Sequence, residues 1–155
     1  MTTTEQPDPS AVTDAWLVDL EGELLTLLRQ ARRGSVEHAR AIHPDLQLTG
    51  FALLLWLAGH PGARSTDATV ALDLDKGAVS RQMTQLERLG LLARSHDPDD
   101  GRAHRLELTE AATDRLRELR ERTRVRQHQI LASWDASEVA TFTSLLRRFN
   151  RATDA

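Results

Sequence analysis

The stretch that decides the fold is LDKGAVSRQMTQLERLGLL, residues 74 to 92, followed by ARSHDPDDGRAHRLELT, residues 93 to 109. Asp75 is a favoured residue type for a helix N-cap, and Gly90 can end the helix in the left-handed conformation. Between them Val79, Met83 and Leu86 recur at helical spacing, with polar residues on the opposite side. The stretch therefore predicts a helix with one buried face and one face free for contacts.

The polar face of this helix carries cations, hydroxyls and a glycine rather than acidic groups. An arginine can hold guanine through two hydrogen bonds, and hydroxyls can bind phosphates or base edges. This chemistry suits a helix that enters a DNA groove. The residues that we predict to contact DNA from this helix are Lys76, Gly77, Ser80, Arg81, Thr84 and Gln85.

The segment after the helix has the pattern of a two-stranded hairpin. Leu91 and Leu92 lead into a first strand, residues 97 to 102 carry turn residues, and residues 103 to 108 alternate as a second strand. A hairpin beside a recognition helix is a wing, and an arginine in its turn suits the negative potential of a narrow minor groove. The wing residues that we predict to contact DNA are Arg94, Arg102, His104 and Arg105. Thr66, in a short predicted helix over 65 to 72, is placed to cap that helix and to contact phosphate.

Four motifs together resemble the MarR family of winged helix-turn-helix transcriptional regulators. They are LDKGAVSR at 74 to 81, LERLGLL at 86 to 92, DPDDGR at 97 to 102 and LTE at 108 to 110. The resemblance extends in element order over about residues 12 to 150. The chain departs from the family pattern at Ala68-Thr69, where Leu-Ala is usual, and at Asp73, where glycine is common. The resemblance implies a mainly α (α+β) fold, a winged helix-turn-helix domain with N- and C-terminal dimerisation helices.

The rest of the chain is predicted to form one domain with long terminal helices. Residues 1 to 10 read as a disordered arm and 11 to 150 as a single MarR-like domain, with a DNA-reading part at 48 to 110 and dimerisation helices at 11 to 43 and 110 to 150. Gly34-Ser35 predicts a break or bend in the first helix, and residues 135 to 138 have the form of a capping box. Because long apolar stripes on terminal helices are hard to bury in a monomer, we expect a twofold homodimer.

A homodimer would read double-stranded DNA as an inverted repeat, a palindromic operator with half-sites about 34 to 36 Å apart. The resemblance implies a repressor that occludes a promoter and is released by a small aromatic or anionic effector, bound between the dimerisation helices and the reading part. The candidates to line that cleft, chosen because they face the predicted junction, are Trp16, His38, Ile42, His43, Phe51 and Leu55.

Several classes of function are disfavoured by composition and motif content. The chain has no cysteine, which excludes disulfides and thiolate chemistry. His38 and His43 are five residues apart, which does not stack them on one helical face, so we predict neither a metal site nor a cofactor. There is no nucleophile elbow, phosphate-binding glycine loop or His-Glu-x-x-His motif, so we predict no enzyme. No apolar run reaches about 18 residues and the first ten are polar and acidic, which predicts a cytoplasmic protein without membrane contact.

Net charge leaves one alternative open. The formal charge of the whole chain is -3, and residues 64 to 109 hold seven basic against eight acidic residues, so DNA binding must depend on local placement of the cations. The alternative is a winged-helix module for protein–protein interaction that does not bind DNA specifically. An interface of that kind favours an apolar or acidic recognition face, whereas Lys76, Ser80, Arg81 and Thr84 favour DNA.

Overall fold

The computed structural model describes residues 13–96 and 104–153, which form six helices and a two-stranded sheet. The predicted arm at 1 to 10 and the turn of the hairpin lie outside the described residues. This arrangement confirms the mainly α fold with a small β hairpin. In chain order the elements are α1 (Asp14–Ile42), α2 (Leu48–Gly59), α3 (Ser65–Ala71), α4 (Lys76–Arg88), β1 (Leu92–His96), β2 (His104–Leu108), α5 (Glu110–Ile130) and α6 (Ala136–Thr153).

The hydrophobic core lies in the middle of the chain, around α2. This helix is apolar on nearly every side, and it packs against α1, α4 and β2. α1 contributes to the core only near its end, through Ala39 and Ile42, and α5 only near its start, through Ala112 and Leu116. The largest fully buried side chains are Leu53, Leu54, Val79, Leu86, Leu91 and Leu106. The core therefore fixes the position of α4, while most of α1, α5 and α6 extends beyond it.

The helix α4 begins and ends as its sequence predicts. The carboxylate of Asp75 accepts a hydrogen bond from the backbone N–H of Ala78, at 2.8 Å, which satisfies one of the free donors of the first turn. Gly90 has φ 67°, a left-handed conformation that glycine adopts with little strain. Val79, Met83 and Leu86 are buried along one face. The predicted recognition helix is thus confirmed as an element, with its apolar face against the core.

The turn between α3 and α4 is short and contains a strained residue. Asp73 has φ 49°, and the N–H of Leu74 donates to the carbonyl of Thr69 at 3.2 Å across the turn. Ala68 is fully buried, so a small side chain suffices where the family usually has leucine. The predicted helix-turn-helix is present despite both departures from the family pattern.

The first helix corrects one expectation. α1 runs without a break from Asp14 to Ile42 through Gly34 and Ser35, so the predicted break is wrong. A glycine in a helix interior costs roughly 0.5–1 kcal/mol relative to alanine but keeps its backbone hydrogen bonds. A single glycine therefore weakens a long helix without ending it. In the described part of the chain no helix is long and apolar enough to cross a membrane.

The start of α6 follows the predicted capping box. The backbone N–H of Asp135 donates to Oε2 of Glu138 at 2.9 Å, and the N–H of Glu138 donates to Oδ1 of Asp135 at 2.9 Å. These reciprocal bonds satisfy two backbone donors at the helix start. Trp134 packs edge-on against Phe142, with ring centroids 5.7 Å apart. Together these contacts fix the direction in which α6 leaves α5.

Candidate nucleic-acid interface

Five of the predicted DNA contacts share the exposed face of α4. Lys76 lies in the first turn, and the others follow toward the middle of the helix; all five are exposed: Lys76, Gly77, Ser80, Arg81 and Thr84. The opposite face of α4 is buried and packs against the core. The face can therefore approach a groove without any rearrangement of the core.

Gly77 and Arg81 are arranged together on this face. A Cβ atom on Gly77 would lie 3.2 Å from Nη1 of Arg81 and 3.0 Å from Oδ1 of Asp75. The space above Gly77 is thus occupied by the Arg81 guanidinium and the capping carboxylate. Thr84 donates its hydroxyl hydrogen to the carbonyl of Ser80 at 3.1 Å. The Thr84 oxygen remains an acceptor, while Lys76 and Arg81 supply the cationic donors of the face.

Gln85 has a different contact from the one expected of it. Its Nε2 donates to the backbone carbonyl of Asp45, 2.9 Å away, and its side chain is half-buried. This bond joins α4 to the loop between α1 and α2. Gln85 therefore holds α4 against the loop between α1 and α2 and is not among the exposed residues that are predicted to contact DNA.

Among the wing residues, Arg94 has an ion-pair partner within the protein. It forms an ion pair with Glu87 near the end of α4, and both side chains are about one third exposed. This pair ties β1 to the recognition helix, so Arg94 positions the hairpin. Arg102 lies outside the described residues, and for His104 only the backbone pairing with His96 is described.

The two remaining predicted DNA contacts lie in β2 of the hairpin and in α3. Arg105 is half-buried on β2, opposite Ser95 of β1. Thr66 is exposed in the first turn of α3, and its hydroxyl donates to Oδ1 of Asp67 at 3.4 Å instead of capping the helix. Oδ2 of Asp67 accepts a hydrogen bond from the N–H of Arg64 at 2.9 Å. Arg64 precedes α3, and its backbone forms an antiparallel β-bridge with that of Arg105. Arg64 was not predicted from the sequence. No periodic pattern indicates this bridge, because the two residues are 41 positions apart.

The six predicted effector residues do not form one cleft within a single chain. Ile42 and Phe51 are 3% and 5% exposed and belong to the core. Trp16 and Ile42 are 26 residues apart on one continuous helix, which separates them by about 39 Å at 1.5 Å per residue. His38 packs near Phe51, with ring centroids 6.4 Å apart, and His43 accepts a hydrogen bond from the N–H of Asp45 at 3.2 Å. Leu55 and Trp16 are exposed on different helices.

Within residues 13–96 and 104–153, no three side chains of His, Asp or Glu come together in a way that could hold a metal ion. The candidate site consists of the exposed face of α4, the hairpin of β1 and β2, and the arginines beside them. These features define the chain as a winged helix-turn-helix protein, with α3 and α4 as the helix-turn-helix and β1 and β2 as the wing.

Comparison with known proteins assigns the family. Residues 45–103 match the sequence model of the MarR family. The chain is 30% identical over 133 residues to the uncharacterized HTH-type transcriptional regulator YxaD of Bacillus subtilis (strain 168), an alignment that covers 86% of this chain and 92% of the relative. The chain belongs to the MarR family, and it is a DNA-binding transcriptional regulator.

Two solved structures illustrate the likeness. The PcaV transcriptional regulator of Streptomyces coelicolor, in complex with its natural ligand, is 29% identical, with a TM-score of 0.60 over 92% of this chain and 99% of that chain. FabT of Streptococcus pneumoniae in complex with DNA has a TM-score of 0.77 at 16% identity, over 89% of this chain and 97% of that chain. The second likeness concerns the fold alone.

Proposed function

We propose that the protein is a homodimeric repressor that binds an inverted-repeat operator and is released by a small aromatic or anionic molecule. The observation that carries the proposal is the exposed face of α4. Lys76, Ser80 and Arg81 stand on a helix whose opposite face is locked into the core. Cations and hydroxyls on a rigid helix match the phosphates and base edges of a major groove.

The fold also supports DNA binding through α4. A protein of this fold, FabT, has been solved in complex with DNA. In a helix-turn-helix, the second helix lies in the major groove while the preceding helix meets the backbone. In this chain α4 corresponds to the helix in the major groove. α3, with Thr66 exposed in its first turn, corresponds to the helix that meets the DNA backbone.

The homodimer is supported by apolar residues that one chain leaves uncovered. α1 and α6 together line a groove of about 630 Å³, between their apolar faces. Five of its aromatic and leucine side chains are 40–50% exposed, and the remaining two leucines are half-buried. Such exposure is unusual for side chains whose burial stabilises a protein by about 1.5–3 kcal/mol each. The main apolar residues of the groove are Leu20, Leu24, Leu27, Phe142, Leu145, Leu146 and Phe149. A second copy of α1 and α6, related by a twofold axis, would cover them.

This dimer is tested by Leu145→Glu, which places a charge in the groove. We expect the variant to sediment as a monomer in analytical ultracentrifugation at concentrations where the wild type is a dimer. Ser144→Glu, on the exposed polar side of α6, is the matched control and should remain dimeric. A monomeric wild type, or equal behaviour of the two variants, would contradict the proposed interface.

Effector release is supported by a cleft between the reading part and α5. It has a volume of about 380 Å³, and its lining includes the buried side chains of Leu57 and Leu116 and the charged side chains of Glu107, Arg117 and Arg120. An aromatic ring with a carboxylate complements such a lining, since arginine pairs well with planar anions. PcaV, a relative of the same fold, binds a natural ligand. A panel of aromatic carboxylates should raise the melting temperature of the wild type, and less so that of Arg120→Ala.

DNA binding itself is tested by the charge-reversing pair Lys76→Glu with Arg81→Glu. Fluorescence anisotropy would compare DNA upstream of the coding region with random duplex, from about 50 to about 300 mM salt, where phosphate contacts give a steep decline in affinity. We expect the pair to abolish binding with the dimer intact. Arg29→Glu with Arg32→Glu, two exposed positions on α1, makes the same change in net charge and should retain binding. Unchanged binding by the first pair would contradict DNA contact through α4, and a wild type that shows no preference for the upstream DNA over random duplex would favour the alternative, a protein-interaction module.

A further inference from the structure

The exposed side of α4 extends beyond the predicted DNA contacts to Arg88. Gly77, Arg81, Thr84 and Arg88 follow one another at intervals of four, three and four residues, which places them on one side of a helix. The buried face of α4 lies opposite. Arg88 is exposed in the last turn of α4, so it faces the side from which DNA would approach.

The length of α4 brings Arg88 to the edge of a groove. In a helix-turn-helix, the first residues of the second helix contact base edges. Arg88 is twelve positions after Lys76, about 18 Å farther along the axis at 1.5 Å per residue, whereas the major groove is about 12 Å wide. A helix that enters the groove by its first turns therefore extends beyond it at Arg88, where the sugar–phosphate backbone lies.

Arg88 shares a cleft with a second arginine, from the last turn of α1. The cleft has a volume of about 660 Å³ and lies between the end of α1, the start of α2 and the end of α4. Its charged lining residues are Arg40, Asp45 and Arg88. The hydrogen bond from Nε2 of Gln85 to the carbonyl of Asp45, at 2.9 Å, joins two walls of the cleft. The fold therefore fixes the positions from which both arginines reach into it.

The two arginines keep their charge available for a partner outside the protein. The nearest acidic residue on each of their helices is paired with a different arginine: Glu37 with Arg33, at 3.1 Å, and Glu87 with Arg94. Among residues 13–96 and 104–153, Arg40 and Arg88 have neither an ion pair nor a side-chain hydrogen bond. With Asp45 as the one acidic residue of the described lining, the cleft has an excess of positive charge.

We propose that Arg40 and Arg88 form a phosphate-binding site for the DNA backbone at the point where it borders the major groove occupied by α4. The guanidinium group suits this task because its planar donors match phosphate oxygens in pairs. The inference rests on the proposed DNA binding by one reading unit, and it does not depend on the homodimer or on the operator sequence. Since phosphate contacts carry no sequence information, the site should contribute equally to every duplex.

The experiment measures the slope of log affinity against log salt by fluorescence anisotropy, with the DNA upstream of the coding region and with random duplex. Arg88→Ala and Arg40→Ala should each weaken binding to both duplexes by the same factor. Each should make the slope shallower by about 0.9 per reading unit for a phosphate contact that is lost. Arg88→Lys should retain the slope, because it retains the charge. Arg32→Ala, exposed on α1 outside the cleft, is the control for the loss of one positive charge and should leave the slope unchanged.

Asp45→Asn provides a test in the opposite direction. It removes the one negative charge of the described cleft lining, while the backbone carbonyl that accepts from Gln85 remains. We expect this variant to bind both duplexes more tightly than the wild type. Weaker or unchanged binding would contradict a phosphate beside Asp45.

Other results would also overturn the inference. Cations in the last turn of a helix complement the helix dipole, so lower melting temperatures of Arg88→Ala and Arg40→Ala with unchanged slopes would assign them a structural role only. A loss confined to the upstream DNA would indicate a base contact. Thermal stabilisation of the wild type by inorganic phosphate that Arg88→Ala abolishes, with the slope unchanged, would assign the cleft to a free anion. A wild type that binds no duplex would overturn the proposed function as well, whereas a steep wild-type slope that both alanine variants leave unchanged would overturn this inference alone.

Discussion

Arg115 of α5 donates a hydrogen bond from Nη1 to the backbone carbonyl of Ile42, with 3.0 Å between the two atoms. Ile42 is the last residue of α1, where the final carbonyls of a helix have no partner within the helix. A cationic donor at this end also matches the negative end of the helix dipole. Because α5 follows the wing and α1 leads into α2, this bond joins the two long helices at the ends that adjoin the reading part.

Arg115→Ala should lower the free energy of unfolding by about 1–2 kcal/mol, since it leaves a carbonyl without its charged donor. Arg115→Lys should lose less, because it retains a cation near the helix end. Urea unfolding followed by circular dichroism measures the difference. Arg117→Ala is the matched control: Arg117 pairs with the exposed Asp114, at 2.7 Å, and surface pairs of this kind contribute about 0–1 kcal/mol. Equal losses from Arg115→Ala and Arg117→Ala would contradict the role of the Ile42 contact.

Asp73→Gly should stabilise the protein. Asp73 has φ 49° in the turn between α3 and α4, and the left-handed conformation is unfavourable for side chains with a Cβ, although aspartate tolerates it better than most. We expect a gain of about 0.5–1 kcal/mol in the free energy of unfolding, with DNA affinity retained. Asp73→Ala retains the Cβ and loses the polar group, so it should be less stable than wild type. Thermal unfolding would decide the order, and an alanine variant as stable as the glycine variant would show that backbone strain is not involved.

The elements that could be predicted from sequence are those fixed by local interactions. Asp75 caps α4 through a residue three positions on, and Thr109 caps α5 in the same way, accepting from the N–H of Ala112 at 3.2 Å. Asp135 and Glu138 do so at α6. Each cap joins residues within one helical turn, so the residue types and their spacing already carry the information.

The contacts that could not be predicted join distant parts of the chain. Helical spacing places Gln85 one turn after Arg81, which suggested a shared DNA face. The loop that passes beside the end of α4, 40 positions earlier, gives Gln85 its partner Asp45 instead. The pairing of Arg64 with Arg105 is equally remote in sequence. Spacing reports which residues share a helix face, but tertiary packing decides which part of that face remains exposed.

Gln82→Met should raise stability. The Oε1 atom of Gln82 is buried and has no hydrogen-bond partner among residues 13–96 and 104–153. It lies beside Gly50, where a Cβ atom would lie 3.0 Å from it. A buried acceptor without a partner is destabilising by about 1–3 kcal/mol, and methionine has a similar shape without the amide. We expect a gain of about 1 kcal/mol in urea unfolding. Gln85→Met is the matched control and should lose stability, because it removes the bond to Asp45. A loss of stability in both variants would show that the Gln82 amide has a partner in solution.

Acid should weaken the start of α6 through Asp135. The hydroxyl of Ser137 donates to Oδ1 of Asp135 at 2.6 Å, and this bond, with that from the N–H of Glu138, holds the pKa of Asp135 below its ordinary value of 3.8. Because the folded pKa lies below the unfolded one, the cap stabilises the helix at pH values above 3.8 and is lost as the pH falls through the lowered pKa. Carboxyl NMR titration should give a midpoint below 3.8. Ser137→Ala should move it upward, whereas Ser133→Ala, outside the cap, should not. A wild-type midpoint at or above 3.8 would mean that these hydrogen bonds do not favour the ionised carboxylate.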